Sequence, residues 1–349
     1  MKKYISIILA AVMIICCLSG CGSSDGTAKE SDGKFSIVTT IFPEYDWVMN
    51  ILGDNPAGAE VTMLLDKGVD LHNFQPTAAD ILKVASCDMF IYVGGESDGW
   101  VEDALKESVN KDMIVINLLD VLGDAVKEEE LVEGMQEEDE HDHDHDHDED
   151  KDHDHDEDHD HDEDHDHEEG PEYDEHVWLS LRDAAKLTET ISANICKMDS
   201  ANEAVYKANT DSYIGKLNAL DAQYSETVSN ASVKTILFGD RFPFRYLTDD
   251  YGLDYYAAFV GCSAETEASF ETITFLAGKV DELSLGSVMT IEKSDKKIAE
   301  TIIQNTGSKD QNILTLDSMQ SVTAEDVKNG TTYLSVMESN LEVLKEALK

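Results

Sequence analysis

The sequence predicts an α/β protein of two lobes, each a mainly parallel sheet flanked by helices, joined by a long linking helix, with a metal site in the cleft between them. Three observations predict it. Short β-branched runs, apolar on both sides, alternate with helical patterns in both halves of the chain, as parallel sheets covered on both faces require. A stretch almost free of helix breakers, Leu179 to roughly Val228, separates the halves. Histidines and carboxylates gather just past strand ends, where open parallel sheets hold their ligands.

The N-terminus is an export signal over residues 1–20. Lys2 and Lys3 supply the charged end, Ile5 to Leu18 the apolar core and Ser19-Gly20 the small residues. The run is too short for a membrane-spanning helix, which needs about twenty apolar residues. Leu18-Ser19-Gly20-Cys21 resembles a bacterial lipobox. That resemblance implies a diacylated Cys21 and a protein anchored by lipid to the extracytoplasmic face of the cell membrane, since two acyl chains suffice for stable anchoring. Residues 21–34, rich in Gly and Ser, form a flexible tether. Cys16 and Cys17 fall within the signal, leaving Cys87, Cys196 and Cys262, which permit at most one disulfide. Each of the three lies in apolar company and reads as a small buried hydrophobe.

The first lobe covers residues 35–178. Its strands are Phe35–Ile41, Glu60–Leu65, Met89–Gly94 and Met113–Leu118. Helices follow at Tyr45–Leu52, from Pro76 to near Cys87 and at Trp100–Val109, with Pro76 suited to a first turn whose N–H is unused. The linking segment, 179–230, carries Val205, Tyr206, Tyr213, Leu217, Leu220 and Tyr224 at helical spacing, with a break near Asp199 to Asn202. A helix of about thirty residues would be near 45 Å long and could brace both lobes. The second lobe, 231–349, repeats the pattern. Its strands are Val233–Phe238, Leu253–Val260, Ser287–Glu292 and Ile313–Asp317, and its helices Phe242–Asp250, Ala268–Leu283, Lys296–Thr306 and Tyr333–Leu348.

Between Glu137 and Glu169 lie ten of the chain's 12 histidines, with 22 acids and one lysine and no apolar side chain. Such a segment cannot offset its ordering entropy by burial and reads as a disordered loop. Neutral imidazoles among carboxylates suit a divalent cation, and protonation toward pH 6 would weaken that capture. The tract supplies 21 of the 48 net negative charges, so the remainder is acidic too, which argues against nucleic acid as a partner. No H-E-x-x-H or P-loop pattern occurs, and the reading is of a binding protein rather than an enzyme.

From Phe35 to Lys349 the chain resembles the metal-binding lipoproteins of bacterial zinc and manganese ABC importers, the zinc type with a His-rich loop. Gly68 to Pro76 fits the form G-x-x-x-H-x-x-x-P, and the resemblance implies His72 as a ligand. Asp174-Glu175-His176-Val177-Trp178 matches D-P-H-V-W with Glu175 in the proline position, and implies His176. A final aspartate ending a late strand points to Asp317. The usual third histidine falls on Arg241, because Tyr246 and Tyr251-Gly252-Leu253 keep the frame of its motif. Arginine has no lone pair for a cation. Asp240, one residue earlier, is the candidate, with Arg241 turned away to another acid. The alternative is an Asp240–Arg241 salt bridge, with water or Glu292 completing the shell. Glu44 and Tyr45, past the first strand, are candidates for the surroundings of the site.

The resemblance implies capture of Zn²⁺ and its delivery to an ABC permease by a monomer. A protein of the same class tuned to Mn²⁺ or Fe²⁺, and a surface adhesin or metal-buffering lipoprotein, are the alternatives. Two neutral imidazoles and two carboxylates suit a four-coordinate zinc and would also accept manganese.

Overall fold

Four short strands build the first sheet. The computed structural model describes residues 34–136, 172–263 and 267–349; the signal, Cys21 and the 137–169 tract lie outside the described residues. Strands β1 (Ser36–Thr39), β2 (Glu60–Met63), β3 (Met89–Tyr92) and β4 (Ile114–Asn117) pair in parallel in the order β2-β1-β3-β4. Helices α1 (Phe42–Leu52), α2 (Ala78–Ser86), α3 (Val101–Lys106) and α4 (Leu118–Leu122) connect or follow them. Thr77 starts α2 as a cap, its hydroxyl accepting from the Asp80 N–H.

The second sheet repeats the order. Strands β5 (Thr235–Phe242), β6 (Asp254–Val260), β7 (Ser287–Ile291) and β8 (Asn312–Leu316) run in parallel as β6-β5-β7-β8. In both sheets the strand order reverses direction after the first strand, between β1 and β3 and between β5 and β7. Crevices at the carboxyl ends of such switch points hold ligands.

The link is two helices, α5 (Leu181–Met198) and α6 (Glu203–Asn230), broken at the Asp199–Asn202 stretch. Ser180 caps α5 by accepting from the Asp183 N–H at 3.0 Å. On α6 the expected stripe is buried at Tyr206, Tyr213, Leu217, Leu220 and Tyr224, whereas Val205, one position off that face beside Tyr206, is exposed. Helices α7 (Arg245–Tyr251), α8 (Phe270–Leu283), α9 (Lys297–Asn305), α10 (Ala324–Lys328) and α11 (Tyr333–Ala347) complete the second lobe.

An apolar core reaches through both lobes, running from Phe35 through Trp47, Trp178, Tyr224 and Tyr333 to Leu348. A second cluster, with Leu237, Phe259, Leu276 and Ile302, packs α8 and α9 onto the second sheet. Polar bonds cross the first. The Tyr224 hydroxyl donates to the Met337 carbonyl at 2.6 Å, Tyr333 to the Trp178 carbonyl at 2.6 Å, and the Ala324 N–H to the Asp66 carbonyl at 2.8 Å. Residues Phe35–Lys349 thus form one compact unit.

Asp46 of α1 is buried in this shared region. Its Oδ2 accepts from Asn50 Nδ2 at 3.0 Å and from the Tyr213 hydroxyl at 3.1 Å. Burial pushes its carboxyl up to about 6, and the Tyr213 bond only partly opposes this. A carboxyl raised in the folded state favours folding while protonated. That contribution fades as pH climbs from the unfolded value near 4 to about 6. Asp46→Asn keeps an acceptor for Tyr213 and removes the charge. It is expected to stabilise the fold at pH 7 by up to about 3 kcal/mol and to leave it unchanged at pH 4. Thermal melts at the two pH values check this, and equal gains at both would contradict it.

Candidate metal centre

Two histidines meet at the carboxyl ends of the first sheet. His72 sits in a one-turn 3₁₀ helix after β2, whose cap, Asp70, accepts from the His72 N–H at 3.1 Å. Its Nδ1 lies 2.8 Å from Ser97 Oγ, in the loop after β3, and 3.5 Å from Glu175 Oε2. His176 is fully buried at the turn entering α5. Asp174 Oδ1 accepts from both its backbone N–H and its Nδ1–H, each at 2.9 Å. The turn is anchored to the second lobe. Trp178 Nε1 donates to the Ser318 carbonyl at 2.8 Å, and the Tyr246 hydroxyl to the Asp174 carbonyl at 2.8 Å. Gly261 leaves room for the ring, since a Cβ there would stand 3.0 Å from His176 Cε1.

The two Nε2 atoms face each other at 3.1 Å. Two nitrogens bound tetrahedrally to one zinc at 2.0–2.1 Å would be about 3.3 Å apart. The pair therefore sits close to the spacing a shared ion needs. A third donor completes the cluster. His72, His176 and Cys262 each offer a ligand atom, all within 4.8 Å of one another. Cys262 follows β6 by two residues, and its position corrects the reading of this thiol as a mere buried hydrophobe. The sequence signal was available: Gly261-Cys262 lies past the carboxyl end of a parallel strand, the same criterion that singled out the two histidines.

The protonation states differ within the cluster. Burial, then the neighbouring His176, push His72 down to about 3. Burial also opposes charge on His176, but Asp174 outweighs it and raises that ring above the usual range. A further proton added to the neutral pair therefore goes to His176. Burial, followed by Glu129, pushes the Cys262 thiol well up, so it stays a thiol until a cation displaces its proton.

Asp240 and Asp317 are not in this cluster. β5 extends to Phe242, beyond the expected end at Phe238, with a register shift between Phe238 and Arg241. The cause is aromatic packing, with Phe242 stacked on Tyr255 at 3.8 Å and against Phe238 at 5.2 Å. Asp240 thus lies within the strand, where its carboxylate accepts from the Arg241 N–H at 3.0 Å and the Ile291 N–H at 3.4 Å. The Arg241 guanidinium pairs with Asp70, not with Asp240. Asp317 Oδ1 accepts from the Met319 N–H at 2.7 Å, and burial, then Glu292, push its carboxyl up to about 6. Glu292 is engaged in holding the following loop, accepting from the N–H groups of Ser318 and Gln320 at 2.7 and 3.1 Å. Glu44 turns back onto its own strand end, accepting from the Thr40 N–H at 2.8 Å.

A cavity of about 620 Å³ leads to the cluster, and Glu96, Glu128, Glu129, Glu172 and Glu175 line it beside His72 and Cys262. Among the described residues, no lysine or arginine lines it. Burial raises the carboxyls of Glu129 and Glu175. A cation entering here meets ionisable oxygens before it meets nitrogen. The chain on either side of residues 137–171 is paired at this mouth, with the Glu129 N–H donating to the Glu172 carbonyl at 2.8 Å and the Asp174 N–H to the Lys127 carbonyl at 2.9 Å.

The chain is similar to known zinc-binding proteins. A family model described as zinc-uptake complex component A, periplasmic, matches residues 37–347. The chain is 32% identical over 346 residues to the zinc-binding lipoprotein AdcA of Streptococcus pneumoniae, covering 99% of this chain and 61% of that protein. It is 29% identical over 341 residues to the high-affinity zinc uptake system protein ZnuA of Bacillus subtilis, covering 98% and 96%. The crystal structure of the Zn(II)-bound ZnuA-like domain of S. pneumoniae AdcA matches with a TM-score of 0.65 at 28% identity, over 90% of this chain and 99% of that one. The chain spans 61% of the length of the AdcA relative and nearly all of the ZnuA relative.

Proposed function

Because the chain belongs to the zinc-uptake complex component A family, we propose that it captures Zn²⁺ outside the cell membrane and delivers it to an ABC permease. It is a carrier with zinc as its cargo, not an enzyme, held at the membrane by lipid on Cys21. The observation that carries this reading is the pair of buried imidazoles with Nε2 atoms 3.1 Å apart and Cys262 beside them.

The cargo is held by His72 Nε2, His176 Nε2 and Cys262 Sγ. Asp174 orients the His176 ring and supports its basicity, as a carboxylate behind a ligating imidazole does. Binding replaces the thiol proton of Cys262 by the metal, so one proton leaves for each ion captured, and a further one leaves when His176 is protonated. Two imidazoles and a thiolate make a softer set than two imidazoles and two carboxylates. Such a set selects zinc over manganese, which prefers oxygen. Three protein donors leave a fourth position for water, and an unfilled position is where an exchanging ligand can enter at release.

Cys262→Ser tests this reading. In the full chain, competition against a chelator that masks weaker sites is expected to show zinc binding at least about tenfold weaker, with manganese binding little changed. Unchanged zinc affinity would remove Cys262 from the shell.

A further inference from the structure

His72 grips its cargo through Nε2, so with metal bound the ring carries its proton on Nδ1. That nitrogen faces two oxygens, Ser97 Oγ at 2.8 Å and Glu175 Oε2 at 3.5 Å. The Glu175 side chain is 3% exposed. Its Oε1 accepts from the Ser97 N–H at 2.9 Å, whereas Oε2 has no hydrogen-bond partner. A buried carboxylate oxygen without a donor is costly and calls for an explanation. The fold makes room for it: Gly95 has φ +80°, and a Cβ there would lie 2.2 Å from Glu175 Oε1. Glu175 also stands where the D-P-H-V-W pattern has proline, whose side chain offers no acceptor.

We propose that Glu175 is a positioning residue for His72, its free Oε2 accepting the Nδ1–H of His72 when zinc is bound. The proposal rests on the reading of His72 as a ligand. With both rings neutral and no cargo, Asp174 holds the His176 proton on Nδ1, which leaves a lone pair on His176 Nε2. The proton between the facing Nε2 atoms then belongs to His72. His72 Nδ1 is a lone pair in that state. It accepts from the Ser97 hydroxyl and offers Glu175 nothing, so Oε2 is left over.

Zinc takes the place of the proton between the rings. The His72 Nε2–H bond breaks, that proton leaves to solvent, and an Nδ1–H bond forms with a proton from solvent. The ring stays neutral throughout. Ser97 now faces an N–H where it faced a lone pair, and Glu175 gains a donor. A charge-assisted bond to the carboxylate is shorter and stronger than one to a hydroxyl. Ser97 therefore supports the empty tautomer and Glu175 the loaded one. The switch needs the carboxylate and ring to close from 3.5 Å to ordinary hydrogen-bond length.

Three variants of the full chain test this with Zn²⁺ as the probe, by chelator competition and by nitrogen NMR of the histidine rings. Glu175→Gln places an amide beside His72. With its oxygen on the Ser97 N–H, its NH₂ faces Nδ1 and favours the empty tautomer. Zinc binding is expected to weaken by about tenfold, the scale of lost partners behind ligands, and the His72 Nδ1–H resonance of the loaded protein to move upfield. Ser97→Ala removes the support of the empty tautomer and is expected to tighten binding by a few fold. His72→Ala is expected to lose the tight site. If His72→Ala binds like the parent, the ligand reading itself fails. If it loses zinc while Glu175→Gln binds like the parent with an unmoved Nδ1–H signal, the role of Glu175 alone is overturned. Weaker binding in Ser97→Ala would make Ser97 the acceptor in the loaded state and overturn it too.

Discussion

Zinc affinity is expected to fall by at least about a hundredfold when His176 is replaced by alanine. The ring is fully buried, and a water reaching its place from the adjoining cavity is a weaker donor than the imidazole. Its removal subtracts one of the three proposed donors and also takes from Asp174 Oδ1 the ring N–H at 2.9 Å, leaving it the backbone N–H of residue 176. A buried carboxylate that loses one of its donors is less stable in its own right. Two measurements separate the effects. The metal-free variant should melt below the parent, reporting Asp174. The zinc-dependent rise in melting temperature should vanish, reporting the ligand. For the parent, saturation at a thousandfold excess over the dissociation constant contributes about 4 kcal/mol. A variant that keeps that zinc-dependent rise would place the cargo elsewhere.

Gly239→Ala is expected to destabilise the fold by at least about 2 kcal/mol, as overpacking of a closed core does. A Cβ on Gly239 would lie 2.5 Å from Ala299 Cα, 2.7 Å from its N and 2.8 Å from its Cβ. These are mostly backbone atoms, so no side chain can swing aside and α9 must lift from β5. Asp240, next in the strand, ties β5 to the Ile291 N–H at the end of β7, so the disturbance reaches the edge of the cleft. Denaturant melts check it. An unchanged midpoint would mean that α9 rides on the sheet more loosely than these distances allow.

Much of the architecture could be read from the sequence because its cause is local. The two-sided apolar strands announce parallel sheets, and the Tyr206 to Tyr224 stripe announces α6 with its burial. His72 and His176 were legible for a similar reason, since each lies in a short motif with its own anchoring residues. Asp240 shows where that kind of reading stops. Its strand continues to Phe242 because Phe242 finds Tyr255 on the neighbouring strand β6, a contact no local pattern contains. Cys262 was missed for the same cause. Its company along the chain is small and apolar, and only the fold brings it to histidines far away in sequence. Arg241 turning to Asp70, rather than to its neighbour, is again a long-range choice.

Under the proposed function, the shared core bears on how a full carrier is told from an empty one. Trp47 packs edge-on against Tyr333 at 5.5 Å, and Trp178 bonds across to Ser318. Each such aromatic buries about 150–250 Å². Swinging the lobes apart like a jaw would wet that surface at about 25 cal/mol per Å², and several such residues together put wide opening out of reach of thermal motion. Loaded and empty molecules then keep nearly the same outline. What changes is potential: a divalent ion, less the proton given up by Cys262, arrives at the end of a cavity walled by five glutamates. A receptor that cannot read shape can still read that drop in negative field, and the news of cargo is carried by charge.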